Sequence, residues 1–388
     1  MSPPTVSQRL RAVQAPIVPV VADLIRRHPG TLSLAQGMVW YGPPPQALAA
    51  LGDPAVQPGL HRYGPDAGDP ELIAAFCAKL ERENGIRPGA QGMRVVVTAG
   101  SNMAFLNAVL AVTDPGDEIV LPSPYYFNHE MAIRMAGCVP VPVPSHVDFQ
   151  PDVDAIRAAL GPRTRMVVTV SPNNPSGAVY MPAAIEAINR LCGDAGIWHL
   201  SDEAYEYFNF SATPVLSPAA LAGAAAHTIS LFSMSKAYGM AGWRIGFMVL
   251  PESLYDPALK IQDTNVICAP LASQRLARAV LAVGADYCRE RLAQTGDVRA
   301  RVLRALAAAG VRVAGGEGAF YALLQVRTAM DDLELTTRLI AEHGIAVVPG
   351  SAFGIRNGCH LRVSYGTLLP ENVDASLERL IRGLRALA

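Results

Sequence analysis

The sequence predicts an α/β protein: a mostly parallel sheet with helices on both faces, joined to a smaller α+β domain. Three observations predict it. From about residue 45 to 285, apolar runs of strand length alternate with longer segments of helical periodicity. Glycine, proline and small polar residues gather after the carboxyl ends of those runs, where ligands collect in such sheets. After about residue 310 the texture changes to paired strands and separate helices. The implied division is a large domain over 46–285 and a small domain built from 1–45 and 286–388.

Each element has a local reason. The amphipathic stretch Pro19 to His28 is helical and stops at Pro29-Gly30. The Gly- and Pro-rich stretch Leu32 to Pro45 carries Trp40 and Tyr41, and either covers a pocket or crosses the surface with its rings inward. Residues 70–84 read as a helix, Met93–Thr98 as a strand, and Gly100-Ser-Asn opens the helix that runs to Val112. Glu118–Leu121 is a strand, followed by Pro122 to His129 and a helix ending near 136. Val139 to Pro144 is strand-like but laden with proline, which places it at an edge. Strands follow at Arg165–Val170, Ile197–Asp202, Thr228–Phe232 and Ile245–Leu250, with a helix over about 182–194. A helical region spans about 271–309. Paired strands within Val311–Val326, a helix at 331–343, strands at 345–348 and His360–Tyr365, and a terminal helix complete the chain.

Composition narrows the function. The 388 residues suffice for two domains, and 51% of them are apolar, enough for a sizeable core. A formal net charge of −1 argues against nucleic-acid or anionic-membrane partners. No apolar run reaches transmembrane length, and the N-terminus lacks the apolar centre of a signal peptide. The six cysteines are scattered without a C-x-x-C pair, which suits a reducing cytoplasm. The eight histidines are dispersed, and no metal site is expected.

The chemistry centres on Ser233-Met-Ser-Lys-Ala-Tyr-Gly-Met-Ala-Gly-Trp-Arg244, which follows the strand Thr228–Phe232. Only three lysines occur in the chain. Lys79 sits in a charged helical stretch that reads as exposed and Lys260 in another such segment, and basic surface is otherwise left to arginine. A lone lysine after a buried strand asks for chemistry that arginine cannot perform. Lysine can lose its proton and attack an aldehyde. Ser233 and the planar fork of Arg244 suit a phosphate. An imine-forming lysine beside a phosphate site points to pyridoxal phosphate.

Other strand ends carry matching groups. Thr98-Ala-Gly-Ser-Asn102 offers backbone N–H groups at a helix start, although Gly-Ser is also an ordinary turn. Tyr125 and Tyr126 place rings where one could stack on a planar cofactor or fill the core. Ser171-Pro-Asn-Asn-Pro-Ser-Gly177 restricts where its amides point. Asp202 ends an apolar strand, where a carboxylate needs a cation, strong donors or a capping role; a pyridinium N–H would serve. Arg362 lies mid-strand and needs an anion, either a substrate carboxylate or a structural partner.

Together these residues resemble the class I/II aminotransferases of pyridoxal phosphate fold type I. Asn174-Pro-Ser-Gly177, Asp202-x-Ala-Tyr205, Ser233-x-Ser-Lys236 with Arg244, Val348-Pro-Gly350 and Arg362 stand in the family's order over nearly the whole chain. The resemblance implies that Lys236 would hold pyridoxal 5'-phosphate as an imine and then shuttle the substrate proton. Asp202 would keep the ring nitrogen protonated, with His129 as its support in some members. Asn174 and Tyr205 would donate to the ring's phenolic oxygen, and Tyr126 would stack on its face. Gly100, Ser101, Asn102, Ser233 and Arg244 would bind the phosphate. Tyr63 resembles the tyrosine that reaches the phosphate from the partner subunit, which implies a homodimer. Arg362, with Asn174 and the backbone near Gly37, would hold the substrate α-carboxylate.

Further segments are similar to enzymes that move amino groups between methionine and aromatic 2-oxo acids: Ser33–Gly37, Tyr125–Asn128, Glu206–Phe208, Tyr238–Trp243 and Lys260–Asp263. After Gly37 this chain departs from the wider family, reading Met-Val-Trp-Tyr41 where many members have x-Pro-Asp-Phe. That loop lines the substrate side pocket in the family, so the resemblance makes Val39, Trp40, Tyr41 and Tyr63 the candidate side-chain pocket. No lysine or arginine clearly belongs there, so an aromatic amino acid or methionine is expected as donor and a 2-oxo acid as acceptor. Two rivals remain at this point. A β-lyase would use the same lysine, aspartate and arginine; an effector-sensing regulator would need an attached DNA-binding domain, for which the near-neutral charge gives no support.

Overall fold

The computed structural model describes residues 5–52 and 58–387. Thirteen strands organise the described chain. They are β1 (Leu32–Ser33), β2 (Met93–Thr98), β3 (Glu118–Ser123), β4 (Val139–Pro144), β5 (Thr164–Val170), β6 (Trp198–Asp202) and β7 (Thr228–Ser233). Then come β8 (Gly246–Pro251), β9 (Arg312–Ala314), β10 (Tyr321–Val326), β11 (Ile345–Ala346), β12 (Val348–Pro349) and β13 (Cys359–Ser364). The main sheet has seven strands in the order β2-β8-β7-β6-β5-β3-β4. All its neighbours are parallel except β8, which runs antiparallel to both β2 and β7. The proline-rich β4 is an edge strand, where its missing N–H donors cost least.

Alternate residues along the strands face two cores, as a sheet covered on both sides requires. Val96, Ile229, Leu231, Met248 and Leu250 pack with Phe105 and Ile133 from the helices Ser101–Val112 and Phe127–Met135. Val95, Val97, Phe232, Phe247 and Val249 pack on the other face with Leu72, Phe76 and Leu276 from the helices Pro70–Lys79 and Leu271–Val283. Phe76 and Phe247 stack with ring centroids 3.6 Å apart.

A second, antiparallel sheet has the order β12-β13-β10-β9. Helices Asp286–Ala308, Asp332–His343 and Val373–Leu387 accompany it. The N-terminal segment joins this region through parallel pairing of β1 with β11, Leu32 opposite Ile345.

Several elements refine the sequence reading. The helical region 271–309 is two helices, separated at Gly284, whose φ of +93° ends the first. The helix expected over 70–84 changes to a π-helical turn at Leu80–Asn84 before Gly85. The strand expected over 345–348 divides into β11 and β12, which serve different sheets. One expectation is corrected. Lys79 is not a surface residue: it is 2% exposed, its amine 2.5 Å from Glu206 and 2.8 Å from Asn84. The ionic partner lies 127 positions away in sequence, so helical charge pattern alone could not reveal it. All six cysteines are unpaired. Among the described residues no helix is long and apolar enough to cross a membrane.

Candidate active site

The parallel strands deliver their following residues to one rim of the sheet. β2 leads to Ser101 and Asn102, β3 to Tyr126, β5 to Asn174, β6 to Asp202 and Tyr205, and β7 to Ser233 and Lys236. β8 runs the other way, so the residue that precedes it, Arg244, arrives at the same rim. Ser101, Asn102, Tyr126, Asn174, Asp202, Tyr205, Ser233, Ser235, Lys236 and Arg244 line one cleft.

The rim brings backbone and guanidinium into close approach. Gly100 has a φ of +87°, and a Cβ there would collide with the Arg244 guanidinium. The positive φ favours glycine at this turn, and its lack of a side chain leaves room for the Arg244 guanidinium in its present position. Arg244 itself is held at φ +54°, unusual for a residue with a side chain. Its Nη1 donates to the Ala241 carbonyl at 2.9 Å and to Ser235 Oγ at 3.4 Å. Ser233 Oγ accepts from the Ser235 N–H at 3.1 Å. This corner holds a cation, two hydroxyls and a helix start, and no carboxylate lines the cleft except Asp202. It is a place for an anion.

The opposite side holds the titratable groups Lys236, Asp202 and His129. Lys236 Nζ donates to the Gly37 carbonyl at 2.6 Å. Burial, followed by the nearby Arg362 and Arg244 charges, lowers the amine to about 8, against the opposing pull of Asp202. Near neutral pH most of the amine is still protonated, but its free-base share is far larger than that of an ordinary lysine. Asp202 is fixed at both oxygens: Oδ2 meets His129 Nε2 at 3.1 Å and Oδ1 accepts the Ala204 N–H at 3.0 Å. His129 is buried, stacked on Phe105 with centroids 3.9 Å apart and edge-on to Tyr126. The weighed role of His129 as a support for the aspartate thus has the necessary contact.

Arg362 enters from the small sheet. It sits on β13 between Leu323 of β10 and Val348 of β12. The side chain is 2% exposed and meets no carboxylate among the described residues. Nη1 donates to Asn174 Oδ1 at 3.0 Å, Nη2 to the Ala35 carbonyl at 2.7 Å, and Nε has no partner. A buried guanidinium so placed has capacity for an incoming carboxylate.

Asn174 also donates to the Tyr205 hydroxyl at 3.4 Å. The Asn102 and Asn128 side chains hydrogen-bond the Tyr126 hydroxyl, the latter at 2.8 Å. Gly37 borders the site through Lys236, but Trp40 and Tyr41 do not line the cleft. Tyr41 donates to the Ala237 carbonyl at 3.1 Å, and Trp40 packs edge-on to Tyr41 with the Arg291 guanidinium 5.3 Å from its ring. Tyr63 stands apart at 80% exposure. Sequence reasoning missed Tyr321, whose hydroxyl is 2.8 Å from that of Tyr205. The nearest signal is the stretch Gly315 to Tyr321, which in the sequence reads only as the connection between two paired strands.

Residues 29–380 match the family model described as aminotransferase class I and II. The chain belongs to that family. It is 37% identical to an aromatic aminotransferase of Arabidopsis thaliana, covering 98% of this chain and 96% of the relative. It is 34% identical to an aspartate/prephenate aminotransferase of Thermus thermophilus, over 85% of each chain. The solved aromatic aminotransferase of Pyrococcus horikoshii superposes with a TM-score of 0.86 at 30% identity, covering 94% of this chain and 99% of that one. The protein is therefore a pyridoxal-phosphate-dependent aminotransferase of fold type I, acting between an amino acid and a 2-oxo acid.

Proposed function

We propose that this aminotransferase uses Lys236 as covalent anchor and proton carrier, and favours an aromatic amino acid or methionine as donor. The observation that carries the reading is the Lys236 amine, lowered to about 8 in the cleft that also holds Asp202 and Arg244. The residues present fit the cofactor. The cation and hydroxyls at Gly100, Ser101, Asn102, Ser233 and Arg244 would take its phosphate. Tyr126 would lie against its ring, and Asn174 and Tyr205 would face its phenolic oxygen. Bound there, the cofactor supplies an electron sink for the bonds at the substrate's α-carbon.

The chain's own groups do the rest. Arg362 and Asn174 bind and orient the α-carboxylate, with the Gly37 backbone at the edge of the site. Lys236 Nζ takes the α-proton and carries it to the acceptor carbon. The Asp202 carboxylate, aligned by His129 Nε2 and the Ala204 N–H, would hold a proton on the ring nitrogen. Val39, Trp40 and Tyr41 form the apolar side of the strap beyond Gly37. The Arabidopsis relative's name supports an aromatic preference.

One observation favours a second reading, an acidic substrate. Arg291 lies beside Trp40 without a carboxylate partner among the described residues, and the Thermus relative's name includes aspartate. Spectral titration with single amino acids in the absence of acceptor separates the two. Loss of the bound cofactor's absorbance band with one equivalent of 2-oxo acid released supports transamination and ranks the donors. Pyruvate and ammonia accumulating with the band intact overturn it in favour of β-elimination.

The exposed Tyr63 belongs, in this reading, to the partner's site in a cytoplasmic homodimer. Mixing Tyr63→Phe and Lys236→Ala subunits tests it: hybrids regain one unmodified site. The unit over 46–285, containing the seven-stranded sheet, and the unit from 1–45 with 286–388 are its two domains.

A further inference from the structure

Tyr321 opens β10 and is buried beside three groups of the site. Its hydroxyl is 2.8 Å from the Tyr205 hydroxyl. The Arg362 guanidinium lies 4.5 Å from its ring centroid. The same hydroxyl would be 2.5 Å from a Cβ at Gly37, so the strap residue is small where Tyr321 needs the room. Arg362 reaches Asn174, Asn174 reaches Tyr205, and Tyr205 reaches Tyr321, whose ring returns to Arg362. The four side chains form a closed circuit between the carboxylate-binding side and the phenolic-oxygen side of the cleft.

Hydrogen counting gives that circuit a direction. A tyrosine hydroxyl has one hydrogen to donate and two lone pairs to accept with. The Tyr205–Tyr321 contact permits either hydroxyl as donor. If Tyr205 spends its hydrogen on the cofactor's phenolic oxygen, it can only accept from its other neighbours. Asn174 Nδ2 already donates to it. Tyr321 must then supply the second donated hydrogen. Burial raises the Tyr321 phenol to about 12, so the hydrogen is retained over the working pH range.

We propose that Tyr321 is a positioning residue: its hydroxyl donates to Tyr205, fixes the direction of the Tyr205 hydrogen toward the cofactor, and links that bond to Arg362. The inference rests on the reading of Tyr205 given above. Accepting one hydrogen bond strengthens donation of the next, so the Tyr321 hydroxyl makes Tyr205 a stronger donor.

The test is the holoenzyme series Tyr321→Phe, Tyr205→Phe and the double variant. Phenylalanine at 321 keeps the ring against Arg362 and removes only the hydroxyl. The readouts are the pH midpoint of the bound cofactor's absorbance, and kcat and KM. Tyr321→Phe should raise the midpoint by about half to one unit, because the phenolic oxygen loses support for its negative charge. It should lower kcat more than it raises KM. In the Tyr205→Phe background the same change should shift the midpoint no further, since its route is gone.

An unmoved midpoint in Tyr321→Phe, with Tyr205→Phe shifted, overturns the role of Tyr321 and leaves that of Tyr205 standing. A full additional shift in the double variant also overturns it. An unmoved midpoint in Tyr205→Phe removes the underlying reading, and the proposal with it. Thermal melting of each variant distinguishes these outcomes from simple misfolding.

Discussion

Two lysines of this protein point inward, and their surroundings are opposites. Lys79 is sealed on the side of the sheet that holds Phe76 and Phe232, with Glu206 and Asn84 on its amine and three aromatic rings within 5.2–5.9 Å. Lys236 faces the cleft, donates to no carboxylate among the described residues, and donates to one backbone carbonyl. The first is a charge fully answered by its neighbours. The second is a charge that two arginines and burial oppose. An ion pair fixes an amine in its protonated form; an unpaired amine near like charge is available as base and nucleophile.

The two sites are also connected through the chain. Glu206 lies on the same turn as Tyr205, just after the strand that delivers Asp202. Tyr207 hydrogen-bonds Glu83 and is 2.8 Å from the Tyr238 hydroxyl, which lies two residues beyond Lys236. The Lys79 cluster therefore braces the loops that present the catalytic groups. Beside it is a cleft of about 720 Å³ lined by Arg82, Glu206, Tyr207 and Arg289, larger than the active-site cleft but without the anion corner.

The contrast can be broken most severely at Lys236. Replacement by alanine should lower turnover by about 10⁴-fold or more, since both covalent anchoring and proton transfer are lost. Borohydride treatment of the cofactor-loaded protein should fix pyridoxal phosphate on the peptide containing Lys236 in the wild type and nowhere in the variant. Melting should change little, because no ion pair is broken.

Lys79→Met should do the reverse. It leaves Glu206 largely buried without its partner and should cost roughly 3–5 kcal/mol of stability. The double variant Lys79→Met/Glu206→Gln should recover much of that loss. Denaturant unfolding measures both, and a single variant as stable as the wild type would remove the distinction between the two lysines.

Arg362→Leu sharpens the electrostatic half of the comparison. Loss of charged hydrogen bonds to the carboxylate should reduce kcat/KM by roughly 10-fold to 100-fold. In the apoprotein, one of the charges that lowers Lys236 disappears, so its amine should become reactive to reductive methylation only at higher pH.

The smallest effect concerns Glu203, three positions before Glu206. Burial raises its carboxyl to about 8, with Ser217 donating to it. A raised folded value means that stability is greatest while the acid is neutral. It should decline as pH rises from the ordinary carboxylate range through about 8. Glu203→Gln should flatten that decline, by roughly a few degrees in Tm for each kcal/mol removed. A slope identical to the wild type would assign the pH dependence to other groups.

The same contrast explains what was legible in the sequence. Lys236 was legible because Ser233 and Arg244 lie only three residues before and eight residues after it. The main sheet was legible because strand-length apolar runs repeat, and β4 declared its edge position through three prolines. Lys79 was misread because its environment is assembled from Asn84, Glu206 and Phe232, and only the first is local. Tyr321 was overlooked for a related reason. It joins the site from the second sheet, so its hydroxyl gains meaning only when β10 is placed against Tyr205 and Gly37. Local motifs encode what one loop does; a side chain that acts between two sheets carries no local mark.

The strap from Gly37 to Gly42 is tied at three points. Gly37 accepts from Lys236, Tyr41 donates to Ala237, and Gly42 accepts from Tyr287 on the helix Asp286–Ala308. Trp40, one of only three tryptophans in the chain, sits between those ties against Tyr41 and Arg291. This gives the protein a built-in optical gauge. Indole emission from Trp40, isolated by replacing Trp198 and Trp243, follows the strap itself, so it can time the strap's response to substrate separately from the chemistry recorded in the cofactor's absorbance.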